Sequence, residues 1–414
     1  MTKQESNNST GISKAASEQR GSLQGAKRMQ HIRRSATLKL AERAKELASS
    51  GKDIISLSMG EPDFTTPEHI IQAAKNALDE GLTHYTPALG IPELREAVTK
   101  HCNENNNIPA KAADIMILPT KLAVYNSMLA MVGPGDEVII PEPAWVTYEP
   151  CVQLAQAKSV SIHLDADKDF RLIPDDLAEA ITPKTKMLVL NSPCNPTGGV
   201  YSKSDIEGIA QLAVDHDIIV LTDEIYEKII YEGQHYSIAA QPDMFERTIT
   251  TSGFSKGYAM TGWRVGWVVA GPSIFSQLKK LQEHSITCAT SFAQYGALAA
   301  LNGPQDCVNE MVTEFKKRRD LVVEGLNNID GFNCNKPKGT FYAFFSYEYQ
   351  MNSNDFANYL LENAGVALTP GSGFGAAGEG FLRMSYAASQ SQLKEGLGRI
   401  KKTLESDDTL KRST

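Results

Sequence analysis

Apolar residues in this chain follow two rhythms. Between residues 32 and 47 they recur at helical spacing, through Leu38, Leu40, Ala41, Ala44 and Leu47, and predict a helix with Ser35 or Thr37 as its N-cap. A short strand opens at Ile54 and ends in a turn near Gly60. Thr66-Pro67-Glu68 reads as a helix start with proline in the first position. The stretch from His84 to Gly90 is a loop feeding another helix. Beyond it, β-branched runs alternate with helical ones. Residues 115–118, 137–140, 186–190, 218–221, 248–251 and 263–270 read as strands, and 122–132 and 204–214 as helices. Such alternation predicts an α/β fold, a mainly parallel sheet covered by helices on both faces.

Near Pro304 the pattern changes. Gly339-Thr-Phe-Tyr-Ala-Phe-Phe345 and the apolar runs at 366–371 and 381–387 suggest a smaller α+β domain. The charged run Phe315-Lys-Lys-Arg-Arg-Asp320 reads as a solvated helix face. Gly373-Phe-Gly-Ala-Ala-Gly378 matches G-x-G-x-x-G, but it lies too near the C-terminus for a dinucleotide-binding βαβ unit and reads as a flexible loop. Residues 1–28 are polar and expected to be disordered, and the polar tail after 405 to be frayed.

Composition narrows the function. The 414 residues carry a net charge of -8, which gives a nucleic-acid backbone no electrostatic support. No apolar run approaches the ~18 residues of a membrane span, and the N-terminal stretch lacks a secretory apolar region, so a cytoplasmic protein is expected. The six cysteines form no C-x-x-C pair and read as reduced, packed thiols. The eight histidines are scattered with no H-E-x-x-H spacing, so no metal site is expected.

The chemistry concentrates at Thr251-Ser-Gly-Phe-Ser-Lys-Gly-Tyr-Ala-Met-Thr-Gly-Trp-Arg-Val-Gly266. Lys256 stands just past a predicted strand among small residues that allow close backbone approach. Ser252, Ser255 and the Arg264 fork are donors suited to a phosphate. A lysine beside a phosphate cradle suggests a Schiff base to pyridoxal phosphate. The same segment spells G-x-S-x-G, the hydrolase elbow. That elbow needs an acid and then a histidine downstream, and here the only pair is the adjacent Glu283 and His284. Two further strand exits carry Asn191-Ser-Pro-Cys-Asn195 and Asp223-Glu-Ile-Tyr226. Ligands of parallel sheets bind at such exits, so an amide, a carboxylate, a phenol and an amine would converge there.

Seven motifs in order complete the pattern: Gly60-Glu-Pro-Asp-Phe64, Tyr85-Thr-Pro-Ala-Leu-Gly90, Asn191-Ser-Pro-Cys-Asn-Pro-Thr-Gly198, Asp223-Glu-Ile-Tyr226, Ser255-Lys256, Gly262-Trp-Arg264 and Arg383-Met-Ser-Tyr386. From about residue 30 to 404 the chain resembles fold-type I pyridoxal-phosphate aminotransferases of class I, and within them the bacterial and archaeal aspartate aminotransferase branch. The resemblance implies a seven-stranded sheet in a large domain over 63–303, a small domain over 304–405 joined by residues 29–62, and tails at 1–28 and 406–414. It implies that Lys256 is the Schiff-base lysine and proton carrier. Asp223 holds the pyridine nitrogen protonated, and Tyr226 and Asn195 donate to the phenolic oxygen. Trp145 stacks on the ring, and Arg264 with a Ser252 or Ser255 hydroxyl clamps the phosphate. Tyr85 reaches the phosphate from a second subunit, implying a homodimer with shared sites. Arg383 anchors the substrate α-carboxylate, assisted by Asn195 and the Gly60 backbone.

One stretch departs from the family pattern. The phosphate loop, usually glycine-rich before its helix, is Leu118-Pro-Thr120-Lys121 here. Thr120 would add a hydroxyl and Lys121 a charge to a helix N-terminus. The implied reaction is amino transfer between an L-amino acid and a 2-oxo acid. Other transaminases and the C–S lyases of the same fold remain open, while the acidic chain and short N-terminal segment speak against a DNA-binding regulator. For a dicarboxylic substrate, Arg33, with Thr37 as second donor, would read the distal carboxylate. That expectation gives aspartate and 2-oxoglutarate as the preferred pair.

Overall fold

A computed structural model describes residues 25–32, 36–407 and 410. A 3₁₀ turn at Lys27–His31 comes first and reaches into the stretch expected to be disordered; after it come α1 (Ala36–Ser49), β1 (Ile55–Ser56), α2 (Glu68–Asp79) and α3 (Pro92–Asn106). It continues with β2 (Ile115–Ile117), α4 (Thr120–Met131), β3 (Glu137–Glu142), α5 (Tyr148–Leu154), β4 (Lys158–His163) and α6 (Pro174–Ala180). Next come β5 (Thr185–Asn191), α7 (Lys203–Asp215), β6 (Ile219–Asp223), β7 (Thr248–Gly253), β8 (Gly266–Ala270), α8 (Pro272–Ser285) and α9 (Ser291–Asn302). The remainder is α10 (Asp306–Asn327), β9 (Phe332–Cys334), β10 (Tyr342–Tyr347), α11 (Ser353–Asn363), β11 (Val366–Ala367), β12 (Thr369–Pro370), β13 (Phe381–Ser385) and α12 (Gln390–Ser406).

Seven strands form one sheet in the order β2-β8-β7-β6-β5-β3-β4. Every residue of β2, β3, β6, β7 and β8 is buried, which is why these strands read as apolar or, in β7, β-branched runs: helices cover both faces. Only β8 runs against its neighbours β2 and β7; the other pairs are parallel. The C-terminal ends of β5, β6 and β7 therefore open on the same edge, with Asn191 beside Asp223 and Asp223 beside Thr251. The smaller α+β part is built on the antiparallel sheet β12-β13-β10-β9. β1 pairs in parallel with β11, so the N-terminal segment is stitched to the C-terminal third.

Several expectations change. The first helix spans 36–49 rather than 32–47; Thr37 stands inside it and so is not its cap, and Ser35 lies outside the described residues. Pro67 is the extended residue ahead of α2, which begins one position later at Glu68. Residues 261–263 make a 3₁₀ turn, and the strand expected from 263 starts only at Gly266. Between 148 and 180 the structure adds α5, β4 and α6, where the sequence pattern gave no element. Residues 315–320 are a solvated face only in part: Lys316, Lys317 and Asp320 are exposed, but Phe315, Arg318 and Arg319 are buried. Phe315 packs on Phe64 and Phe341, Arg318 pairs with Asp63 at 2.7 Å, and Arg319 is fully buried, 2.9 Å from Glu232 with its guanidinium over Tyr231. Carboxylates from distant segments and the aromatic rings supply what water would. The 373–378 loop forms two 3₁₀ turns, and Phe374 packs edge-on to Phe344 in the core. Among the described residues no helix is long and apolar enough to cross a membrane.

Candidate active site

A cleft of about 320 Å³ opens at the carboxyl edge of β5, β6 and β7. Lys256, Asp223, Tyr226, Asn195, Trp145, Ser255, Arg264, Arg383, Gly60, Thr120 and Lys121 all line it. These residues come from strand exits, from the N-terminus of α4 and from the smaller sheet. The fold thus assembles them from across more than 300 residues of chain.

Asp223 ends β6 and is buried at the wall of the cleft. The Tyr148 hydroxyl donates to its Oδ2 at 2.9 Å, and the Ile225 N–H donates to Oδ1 at 3.2 Å. Burial pushes its carboxyl up to about 6, while these two donors pull it back. Asn191 ties the same turn together: its amide donates to the Asp223 carbonyl at 2.8 Å, and its Oδ1 accepts the Asn195 N–H at 2.8 Å. Lys256 follows β7, and its ammonium donates to the Gly60 carbonyl at 2.6 Å. Burial brings that ammonium down to about 8, with Glu61 opposing and Arg383 and Arg264 reinforcing the shift.

Arg383 lies in β13 and is buried. Its guanidinium donates to the Asn195 Oδ1 at 2.9 Å and to the Ser58 carbonyl at 2.6 Å. The rings of Tyr342 and Phe374 sandwich it, 4.3 and 4.9 Å from its carbon. Its Nε has no partner. Gly60 owes its identity to crowding: a Cβ there would stand 2.5 Å from the Tyr342 hydroxyl. Arg264 sits in the left-handed region, φ 52°, after the 261–263 turn, and donates to the Thr261 carbonyl at 2.9 Å. Lys121 holds its ammonium 5.0 Å from the centre of the Trp145 ring.

Other expected residues are placed differently. Ser252 does not line the cleft; its buried hydroxyl donates to Glu227 at 3.1 Å, because as the last-but-one residue of β7 it faces back into the fold. The Thr120 hydroxyl turns to the Ser252 carbonyl at 2.9 Å rather than into the cleft. The room for this threonine comes from Gly253, where a Cβ would lie 2.6 Å from that hydroxyl. Tyr85 is 89% exposed and outside its own chain's cleft. Arg33 and the side chain of Thr37 lie outside the described residues. Tyr148 and Tyr342 were not anticipated. The one local hint for Tyr148 is its position three residues after Trp145, and the two rings meet edge to face at 5.3 Å.

Reading the histidines as scattered overlooked one grouping. Glu224, Glu227 and His235 bring one ligating atom each within 4.8 Å of one another. Those carboxylates are already engaged, Glu224 with His235 at 2.9 Å and Ser237 at 2.8 Å, and Glu227 with His101 at 3.0 Å. The group is a hydrogen-bonded network behind the Asp223–Tyr226 turn.

The cleft fits pyridoxal 5'-phosphate by its donor set. Four cationic side chains and one carboxylate line it, the buried Arg383 keeps an unpaired N–H, and the helix α4 begins at its wall with free backbone N–H groups. That excess of positive charge suits a phosphate and a carboxylate together, and the single carboxylate suits a protonated ring nitrogen.

Residues 52–400 match the model of the aminotransferase class I and II family. The chain is 47% identical to an aspartate aminotransferase of Pyrococcus abyssi over 365 residues, 87% of this chain and 94% of that one. It is 43% identical to an aromatic-amino-acid aminotransferase of Thermococcus litoralis, with the same coverage. The aspartate aminotransferase of Thermus thermophilus, solved with maleate, superposes with a TM-score of 0.88 at 38% identity, covering 92% of this chain and all of that one. The chain belongs to the class I and II aminotransferases. Its cofactor is pyridoxal 5'-phosphate, and its reaction is the transfer of an amino group.

Proposed function

We propose that the chain moves the amino group of L-aspartate to 2-oxoglutarate in two half-reactions at this cleft. The observation that carries the reading is the number of cations. Lys256 serves the cofactor, Arg264 the phosphate and Arg383 the α-carboxylate, which leaves Lys121 for a second carboxylate on the substrate. The aspartate aminotransferases among its relatives, one of them solved with the dicarboxylate maleate, support the same choice.

Pyridoxal 5'-phosphate, when bound, supplies the electron sink that lets the substrate α-proton leave. Lys256 would hold the cofactor and carry the proton, since burial keeps its amine form within reach near neutral pH. Asp223 keeps the ring nitrogen protonated, and Tyr148 keeps Asp223 ionised. Tyr226 and Asn195 donate to the phenolic oxygen, and Trp145 covers the ring. Ser255, Arg264 and the first N–H groups of α4 hold the phosphate; Thr120 contributes its backbone, and Ser252 only supports Glu227. Arg383, oriented by Asn195, binds the α-carboxylate in bidentate fashion, with the Gly60 backbone alongside. Lys121, together with Arg33 and Thr37, reads the distal carboxylate. Tyr85 serves the site of a second subunit, so the working unit is a homodimer; its exposure outside its own cleft supports this. Residues 29–62 go with the small domain over 304–405, as the β1–β11 pairing suggests, and 63–303 form the large one. The reading places the enzyme in the cytoplasm, with neither nucleic acid nor membrane as partner.

The test compares the specificity constants for aspartate and alanine in the wild type, Lys121→Met and Arg33→Ala, with phenylalanine as a further substrate. A charged hydrogen bond of roughly 1.5–3 kcal/mol predicts a loss of about one to two decades in the aspartate-to-alanine ratio. A ratio unchanged in both variants, or a wild-type preference for phenylalanine, overturns the dicarboxylate assignment.

A further inference from the structure

Tyr342 opens β10, is buried, and still lines the cleft. Its hydroxyl oxygen lies 2.8 Å from that of Tyr226. Its ring lies against the Arg383 guanidinium at 4.3 Å, and its hydroxyl fills the space that a side chain at Gly60 would need. It therefore touches the phenol, the arginine and the glycine of the site at once.

A tyrosine hydroxyl has one proton to give. Where two phenols face each other, only one of them can donate within the pair. If Tyr226 spends its proton on the cofactor, the proton between the two oxygens belongs to Tyr342. The surroundings favour that direction. Arg383 lowers both phenols and lies directly over the Tyr342 ring, while Tyr226 alone also feels the Asp223 carboxylate, so Tyr342 is the more acidic partner. Arg383 from β13 and Asp223 from β6 are the charged groups acting on the pair. Burial pushes both phenols up, so both stay neutral and able to donate.

We propose that Tyr342 is a positioning residue for the amino-transfer reaction: it donates to the Tyr226 oxygen and so commits the Tyr226 proton to the phenolic oxygen of the cofactor. Two donors in series polarise each other in one direction. Because Tyr342 also lies beneath Arg383, the carboxylate anchor and the phenolic contact share one side chain. The inference rests on the reading of Tyr226 given above.

The experiment titrates the visible absorbance of the lysine-bound cofactor against pH in the holoenzyme without substrate, so turnover plays no part. Donation to the phenolic oxygen lowers the midpoint of that titration, and weakening it raises the midpoint. Tyr226→Phe should raise the midpoint by about one unit, and Tyr342→Phe by about half a unit. The double variant should titrate with Tyr226→Phe, because Tyr342 acts only through Tyr226. In a second arm, fluorinated tyrosines placed at position 342 keep the shape and sharpen the acidity, and the midpoint should fall as fluorine is added. A purely structural tyrosine would not give that trend. An unmoved midpoint in Tyr342→Phe, additive shifts in the double variant, or a flat fluorinated series overturns the proposal. If Tyr342→Phe does not retain cofactor, the fluorinated series decides. If Tyr226→Phe itself leaves the midpoint where it was, the assignment of Tyr226 has failed instead.

Discussion

Replacing Tyr148 by phenylalanine should move the acid limb of the pH–rate profile toward alkali by about one unit. The phenol is buried and donates at 2.9 Å to Oδ2 of Asp223, itself buried at the wall of the cleft. It stabilises the carboxylate form, so its loss favours the protonated form and the carboxyl titrates higher. A hydrogen bond to a charged group contributes roughly 1.5–3 kcal/mol, or about one to two pKa units. The Ile225 N–H remains on the other oxygen, so the lower end of that range applies. From about 6, the cofactor-free carboxyl would climb to roughly 7, and its ionised fraction at pH 7 would fall from about nine tenths to about one half. A protonated ring nitrogen lowers both values together and preserves the difference between the enzymes. The assay is kcat/KM for aspartate from about pH 5 to about pH 9, with both holoenzymes saturated in cofactor. The variant should approach the wild-type rate at the alkaline end. Superimposable acid limbs would refute the claim that Tyr148 keeps Asp223 ionised.

Other predictions concern single groups. Asp223 binds a proton in the folded chain that the unfolded chain releases, so stability is lost as pH rises from about 4 to about 6; in the cofactor-free protein, Asp223→Asn should recover up to about 3 kcal/mol at pH 7 and almost nothing at pH 4, as read from urea midpoints. Lys256→Ala should hold cofactor without a borohydride-reducible bond and should not turn over; covalent fixation on reduction would place the linkage elsewhere. Arg319→Leu should lower the unfolding free energy by about 2–3 kcal/mol, since it removes charged hydrogen bonds from a fully buried side chain to Glu232 and Asp320, while leaving both carboxylates half in water. An unchanged denaturant midpoint would show that the buried arginine is energetically idle.

The parts of the site that could be read in the chain are those whose signal is local. Lys256, Asp223 and Asn195 stand just past runs of β-branched residues, and the carboxyl edge of a parallel sheet is where such positions gather. Arg383 carries no comparable local mark; within its strand it resembles any buried residue, and only its motif singled it out. Tyr148 and Tyr342 were illegible because their partners lie 75 and 116 residues away, and each looks like an ordinary core aromatic. The 315–320 run failed for the opposite reason. Its charges promised solvent, and Lys316, Lys317 and Asp320 do face it, but Asp63 and Glu232, from distant loops, neutralise Arg318 and Arg319 within the fold. Likewise Ser252 and Ser255 looked equivalent as donors, but Ser252 is still inside β7 and faces Glu227, whereas Ser255 lies in the turn beyond the strand and lines the cleft. Elements without strong periodicity, α5 and α6, escaped because seven residues make too few turns for a pattern.

The bond from Arg383 to the Ser58 carbonyl spans 325 residues. At a translation rate of 5–20 residues per second, the two ends of that contact leave the ribosome roughly 15–65 s apart. All seven strands of the large sheet, with Lys256 and Asp223, emerge before the arginine is made. The residues that grip the cofactor thus precede it on the nascent chain, whereas the anchor of the α-carboxylate waits for the last strand, β13. A chain that ends before β13 would carry the residues proposed for the cofactor and for the distal carboxylate, and would lack the arginine that anchors the α-carboxylate.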